Sequence, residues 1–325
     1  MGDSGNVSTA RLIAFPGAPN LPIFAAQALG FFERASLDLT LETTPSSSVQ
    51  MQRLIGGQFE LAATAFDNVV AYQESQGAVE LPEDPDLFVF MGATRIELSL
   101  VVAPQVRSFG DLRGRPLALD ALATGFAFVL YEMLEHAGLS IVDCELKTVG
   151  ATPQRWQSLR AGEAAATLMI EPFTSIAIAQ GFRVLESSRE RLPRYQGGIF
   201  AARRGWAAAH RGALRAFIEG YLDGLSWVYD PANRDEAVEI LLRRMPAIEP
   251  AVAPKVIAKL LTPDTGLTPD GAVDREGMRT VLSLRSRYAS PTKRLEAIDR
   301  YLDLSEYSAV RRARDPRDAG ESPRA

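Results

Sequence analysis

One phrase occurs twice in this chain. Gln52-Arg53-Leu54-Ile55-Gly56-Gly57-Gln58-Phe59-Glu60-Leu61-Ala62-Ala63-Thr64 returns as Gln157-Ser158-Leu159-Arg160-Ala161-Gly162-Glu163-Ala164-Ala165-Ala166-Thr167-Leu168-Met169. Each copy ends a helix on a C-terminal Gly, turns, and enters a strand of small residues. A second helix follows each strand, Asp67 to Gln76 and Pro172 to Gln180, with Gly77 and Gly181 close behind. A helix-strand-helix unit used twice predicts two similar α/β lobes. Two lobes leave a cleft, the ordinary place for a ligand.

Composition fits that reading. The 325 residues are comfortable for two lobes, and 46% hydrophobic with 23% charged residues is ordinary for a globular protein. A net charge of -5 builds no basic stripe, so nucleic acid is not an expected partner. One Cys excludes an internal disulfide and a Cys-rich metal site, and His136 and His210 form no metal-ligand pair. No cofactor or metal is expected. No apolar run reaches the roughly 20 residues that span a bilayer. The start, MGDSGNVSTA, has neither signal-peptide regions nor a lipid-anchoring Cys.

Residues 10–15 read as a strand, Pro22 to Phe32 as a helix, Leu37 to Thr43 as an alternating half-buried strand, and Leu61 to Ala65 as a third. This βαβαβα run implies a parallel sheet. Strands Leu87 to Met91 and Leu98 to Ala103 follow, the second crossing between lobes. A second α/β run extends to Gly181, and Gly197 to Ala202 is the returning crossover strand. The rest is mainly helical, and the polar end from Arg311 onward reads as a disordered tail. The expected division is 8–102 plus 199–308 for lobe one, 103–198 for lobe two, and 309–325 for the tail.

Ligands of such sheets sit beyond the carboxyl ends of strands, at helix N-termini with free N–H groups. That rule selects Pro16, then Ser46, Ser47 and Ser48, then Phe66, Asp67 and Asn68, with Arg95 before the crossover. In the second lobe it selects Thr124 and Gly125, Thr152, and Glu171 with Phe173. Each has a structural alternative. Ser46 to Ser48 and Asp67 could cap helices, Arg95 could be a solvated surface charge, and Phe173 could be core. No catalytic constellation is expected. Cys144 lies between Asp143 and Glu145, which blunt a thiolate.

Two further phrases carry a resemblance. They are Asp111-Leu112-Arg113-Gly114-Arg115-Pro116-Leu117, opening the second lobe, and the helix ending Leu134-Glu135-His136-Ala137-Gly138-Leu139. With the repeat, they make the chain resemble the type II solute-binding proteins of ABC importers. Within these it is similar to the branch that takes sulfonates, nitrate and thiamin pyrimidine precursors. The resemblance runs from about residue 10 to about residue 307. It implies an α/β, two-lobed type II periplasmic-binding-protein fold, with two parallel-sheet lobes joined by crossover strands. It also sets Glu171-Pro172-Phe173 on the cleft wall.

The resemblance further implies a non-catalytic solute-binding protein, a monomer that closes around a small sulfonate, carboxylate or pyrimidine-like ligand and docks on an ABC permease. It implies a periplasmic location, with the cytoplasm as the alternative given the N-terminus. The rival reading is a cytoplasmic enzyme or ligand sensor on the same fold. Two of the fold's enzyme chemistries are disfavoured. The thiamin-pyrimidine synthases need an active-site His and a Cys-rich iron motif, and the desulfinases need a Cys in the first βα loop, where this chain has Phe15, Pro16 and Gly17.

Overall fold

The computed structural model describes residues 7–81 and 85–314. In chain order the first elements are β1 (Ser8–Ala14), α1 (Leu21–Ala28), α2 (Phe31–Arg34), β2 (Leu37–Thr43), α3 (Ser47–Ile55), β3 (Leu61–Ala65), α4 (Phe66–Gln73) and β4 (Leu87–Gly92). Then come β5 (Ser99–Val102), β6 (Pro116–Leu119), α5 (Gly125–His136), β7 (Glu145–Thr148), α6 (Thr152–Arg160), β8 (Ala166–Met169), α7 (Phe173–Ala179) and β9 (Arg183–Ser187). The chain continues through β10 (Gly198–Arg203), α8 (Arg204–Ala209), α9 (Arg211–Tyr229), α10 (Arg234–Arg244), α11 (Ala253–Leu260), α12 (Arg275–Tyr288) and α13 (Ser305–Arg314).

The repeated phrase is a repeated structure. One sheet has the order β2-β1-β3-β10-β4 and the other β7-β6-β8-β5-β9. Gly57 and Gly162, at matching places after α3 and α6, share a φ of 76°. A side chain is strained in that conformation, which is why the phrase needs Gly there.

Both sheets are mixed rather than wholly parallel. β1, β2 and β3 run parallel, as do β6, β7 and β8. The fourth strand of each sheet is antiparallel to both neighbours and is the strand on which the chain enters that sheet from the other one. After β4 the chain leaves the first sheet and becomes β5 of the second. After β9 it returns as β10. A strand that arrives from the opposite lobe enters from the cleft end, so it runs against strands that finish there. β5, expected in lobe one by the boundary at residue 102, therefore ladders with β8 and β9 in lobe two.

Each sheet is covered on both faces. Leu12, Val101 and Met169 belong to one apolar layer, while their neighbours Ile13, Leu100 and Leu168 belong to the other. β4 lies at an edge, yet all its residues are buried. The segment after α12 covers it, with Leu302 bridged to Val89 and the Asp303 N–H donating to the Val89 carbonyl at 3.0 Å. Such cover blocks edge-to-edge pairing.

α13 overlaps the expected tail from residue 309 to Arg314. It docks through Val310, buried in the core, and through ion pairs. Glu306 receives Arg211 and Arg215 of α9, and Arg314 meets Asp223 at 2.6 Å. Residues 315–325 of that expected tail lie outside the described residues. Among the described residues no helix is long and apolar enough to cross a membrane.

Candidate functional site

The carboxyl ends of β1, β3, β6 and β8 face one another across the lobes, and the loops that follow them enclose a cavity of about 100 Å³. That is the scale of a small organic molecule. Its walls are largely apolar, with Phe15, Phe126, Ile170 and Phe200 among the lining residues.

The lobes meet around this cavity. The Ala18 N–H donates to the Glu171 carbonyl at 3.2 Å, and the Ala151 N–H to the Pro45 carbonyl at 2.9 Å. Two carboxylates cap helices of the opposite lobe. Asp67, opening α4 in lobe one, accepts the Gly125 N–H that opens α5 in lobe two, at 2.6 Å. Asp120, just after β6 in lobe two, accepts the Ser47 N–H that opens α3 in lobe one, at 3.0 Å. A carboxylate at a helix N-terminus meets an unpaired N–H and the positive end of the dipole. The two caps thus hold one lobe against the other.

Arg155 dominates the site's electrostatics. It lies on α6, lines the cavity, and is 2% exposed. Its Nη1 donates to the Leu168 carbonyl at 2.6 Å and its Nη2 to Thr152 Oγ1 at 2.9 Å. Nε has no protein partner, and no carboxylate lies within ion-pair reach among the described residues. Burial pulls its pKa down from 12.5 to about 10, against the opposing pull of Asp120, so it stays protonated at neutral pH. A buried cation held only by neutral groups is costly unless an anion joins it. The buried Ser47 Oγ, also on the lining, lacks a protein partner too.

The structure sorts the residues singled out from sequence. Ser47, Asn68, Thr124, Gly125 and Thr152 line the cavity. Asn68 is held there by a 2.9 Å bond from its Nδ2 to Thr64 Oγ1. Pro16 lies between two lining residues without lining the cavity itself, and Ser48 lies on α3 off the lining. Ser46 is the α3 cap, accepting the Val49 N–H at 3.2 Å. Phe66 is core, packed edge-on against Tyr301, and Phe173 is core as well.

Three charged candidates are engaged elsewhere. Asp67 is buried against Arg285. Glu171 faces Lys259 of α11 at 3.1 Å, beside the cavity rather than in it. Arg95 sits at a separate surface depression near Asp264 and Asp274.

Sequence reasoning did not reach Arg155, Asp120 or Gln196. Gln196 clamps the two crossing segments together. Its Nε2 donates to the Thr94 and Gly198 carbonyls, and its Oε1 accepts the Asp274 N–H at 2.6 Å. Cys144 is half-buried away from the cavity, with its pKa raised by burial and by Asp143. Neither His lines the cavity. Among the described residues no cluster of His, Cys, Asp and Glu could hold a metal.

Residues 4–242 match the family described as NMT1-like. No curated protein sequence matches the chain. Solved structures share the fold. The periplasmic nitrate-binding protein NrtA from Synechocystis PCC 6803 superposes with a TM-score of 0.82 at 14% identity, covering 97% of this chain and 91% of its own. The alkanesulfonate-binding protein SsuA from Xanthomonas axonopodis pv. citri, bound to MOPS, has a TM-score of 0.68 at 17% identity, with 87% and 92% covered. The desulfurization enzyme DSZB has a TM-score of 0.60 at 12% identity, with 94% and 99% covered.

Proposed function

We propose that this chain, which belongs to the NMT1-like family and carries a buried guanidinium on the wall of the cavity between its lobes, is the solute-binding component of an ABC-type uptake system. Its solute is a small organic molecule with an anionic group, a sulfonate or carboxylate, taken between the lobes by hinge closure. The observation that carries this reading is Arg155, a buried cation on the cavity wall with no carboxylate within ion-pair reach among the described residues. A charge-assisted bond from a guanidinium is worth about 1.5–3 kcal/mol. The named solutes of two structural neighbours, nitrate and alkanesulfonate, are anions, which supports it further.

In this reading Thr152, Ser47, Thr124, Gly125 and Asn68 contact the solute, and the apolar wall receives its carbon skeleton. Asp67 and Glu171, the carboxylates expected to bond the amine of a pyrimidine-like ligand, have basic partners already. The protein carries out no chemistry, works on the outer side of the cytoplasmic membrane, and hands its cargo to a permease.

A melting-temperature screen of short sulfonates and carboxylates, with small-angle scattering of each hit, tests the proposal. A stabilising anion that also reduces the radius of gyration is the expected result. A panel without a stabilising anion, or turnover of one, would overturn it.

A further inference from the structure

The cavity holds a carboxylate as well as a cation. Asp120 lines it alongside Arg155. Its oxygens accept one protein N–H, from Ser47, at 3.3 and 3.0 Å. An ionised carboxylate offers about four acceptor positions, so most of its capacity is uncommitted. No Lys, Arg or His lies within ion-pair reach of it among the described residues. Its field nevertheless reaches Arg155 and favours the charged guanidinium. The two groups are therefore neighbours on the second lobe's side of the cavity that form no ion pair.

The charge of this space decides what it can hold. Arg155 and Asp120 cancel, so the empty site is neutral. A solute whose only charge is negative would satisfy Arg155 but leave one net negative charge against largely apolar walls, repelled by the half-buried Asp120. A solute bearing an anionic group and an ammonium would satisfy both and leave the site neutral. Desolvated charge is tolerated only when paired and hydrogen-bonded.

Resting on the solute-binding reading above, we propose that Asp120 is the specificity-determining residue of the cleft. The solute is a small zwitterion, an aminosulfonate or amino-carboxylate, with its anionic end on Arg155 and its ammonium on Asp120. The 100 Å³ cavity restricts it to a short chain between the two charges. Asp120 also caps α3 of the opposite lobe, so the carboxylate that reads the ammonium helps to draw the lobes together.

Matched pairs that differ only in the ammonium test this by calorimetry on the full chain: 3-aminopropanesulfonate against propanesulfonate, and β-alanine against propionate. In at least one pair the ammonium member should bind ten-fold tighter or more. In Asp120→Asn that advantage should fall below about two-fold, with the unaminated member gaining affinity. The comparison in the unaltered protein stands even if the variant fails to fold. Equal binding within each pair, or an advantage that persists in Asp120→Asn, would overturn the role of Asp120. If that equal binding is lost in Arg155→Gln, the anion site survives without the zwitterion. Binding of no member of either pair removes the anion site, and this inference with it.

Discussion

Arg285 donates to both oxygens of Asp67, Nε to Oδ1 at 2.8 Å and Nη2 to Oδ2 at 2.7 Å, with both side chains almost wholly buried. The same guanidinium bonds the Gln76 carbonyl of lobe one and the Ala123 carbonyl of lobe two. α12 thus fastens both lobes through one residue. Removing one member of a buried pair strands the other, at a cost of about 3–5 kcal/mol. Arg285→Met should destabilise by about that amount in urea unfolding. Asp67→Leu combined with Arg285→Met should recover part of it, because no charge is then left unpaired although the Gly125 N–H loses its acceptor. A single variant as stable as the parent would contradict the pair's role.

Glu171 has a partner of a different kind. Lys259 approaches it at 3.1 Å from a half-exposed position, and such pairs contribute about 0–1 kcal/mol. Glu171→Gln should therefore shift the unfolding free energy by less than about 1 kcal/mol and leave solute affinity within two-fold. Loss of binding in this variant, measured by calorimetry, would return Glu171 to the site.

Acid should weaken the clamp around the crossing segments. Burial opposes the charge on Asp274, but hydrogen bonds from Arg194 and the Gly277 N–H outweigh it, and its pKa lies below the ordinary 3.8. A depressed carboxylate contributes stability that is present above its unfolded pKa and lost as pH falls through the folded one. Between pH 5 and pH 2.5 the protein should lose stability more steeply than Asp274→Asn does. Parallel curves for the two proteins would contradict this assignment.

Much of this was legible in sequence. The repeated phrase foretold two lobes of matching strand order, and the Gly of each copy marks the same turn. The rule about strand ends found Ser47 and Thr152, which hold equivalent places in the two lobes and line one cavity. What escaped depends on contacts remote in sequence. Asp67 and Arg285 are 218 residues apart, so nothing near Asp67 announces its partner. Arg155 sits in Pro153-Gln154-Arg155-Trp156-Gln157, which reads as a polar helix surface. Its burial comes from α6 packing on β8, where the Leu168 carbonyl and Thr167 receive it. Strand β5 is short and apolar like β4, and only its pairing assigns it to the second sheet.

Titration calorimetry of Arg155→Met with the anion that most stabilises the parent protein tests the central claim most directly. Met keeps the apolar stem and removes a buried charge that lacks a carboxylate, so the ligand-free variant should melt at the same temperature or higher. Affinity should nonetheless fall about ten- to a hundred-fold, the equivalent of one charge-assisted hydrogen bond. In the parent protein affinity should hold steady from pH 6 to 8, because the guanidinium keeps its proton throughout that range. A folded Arg155→Met protein that binds the same anion within two-fold of the parent would contradict the claim that this guanidinium is the anion receptor.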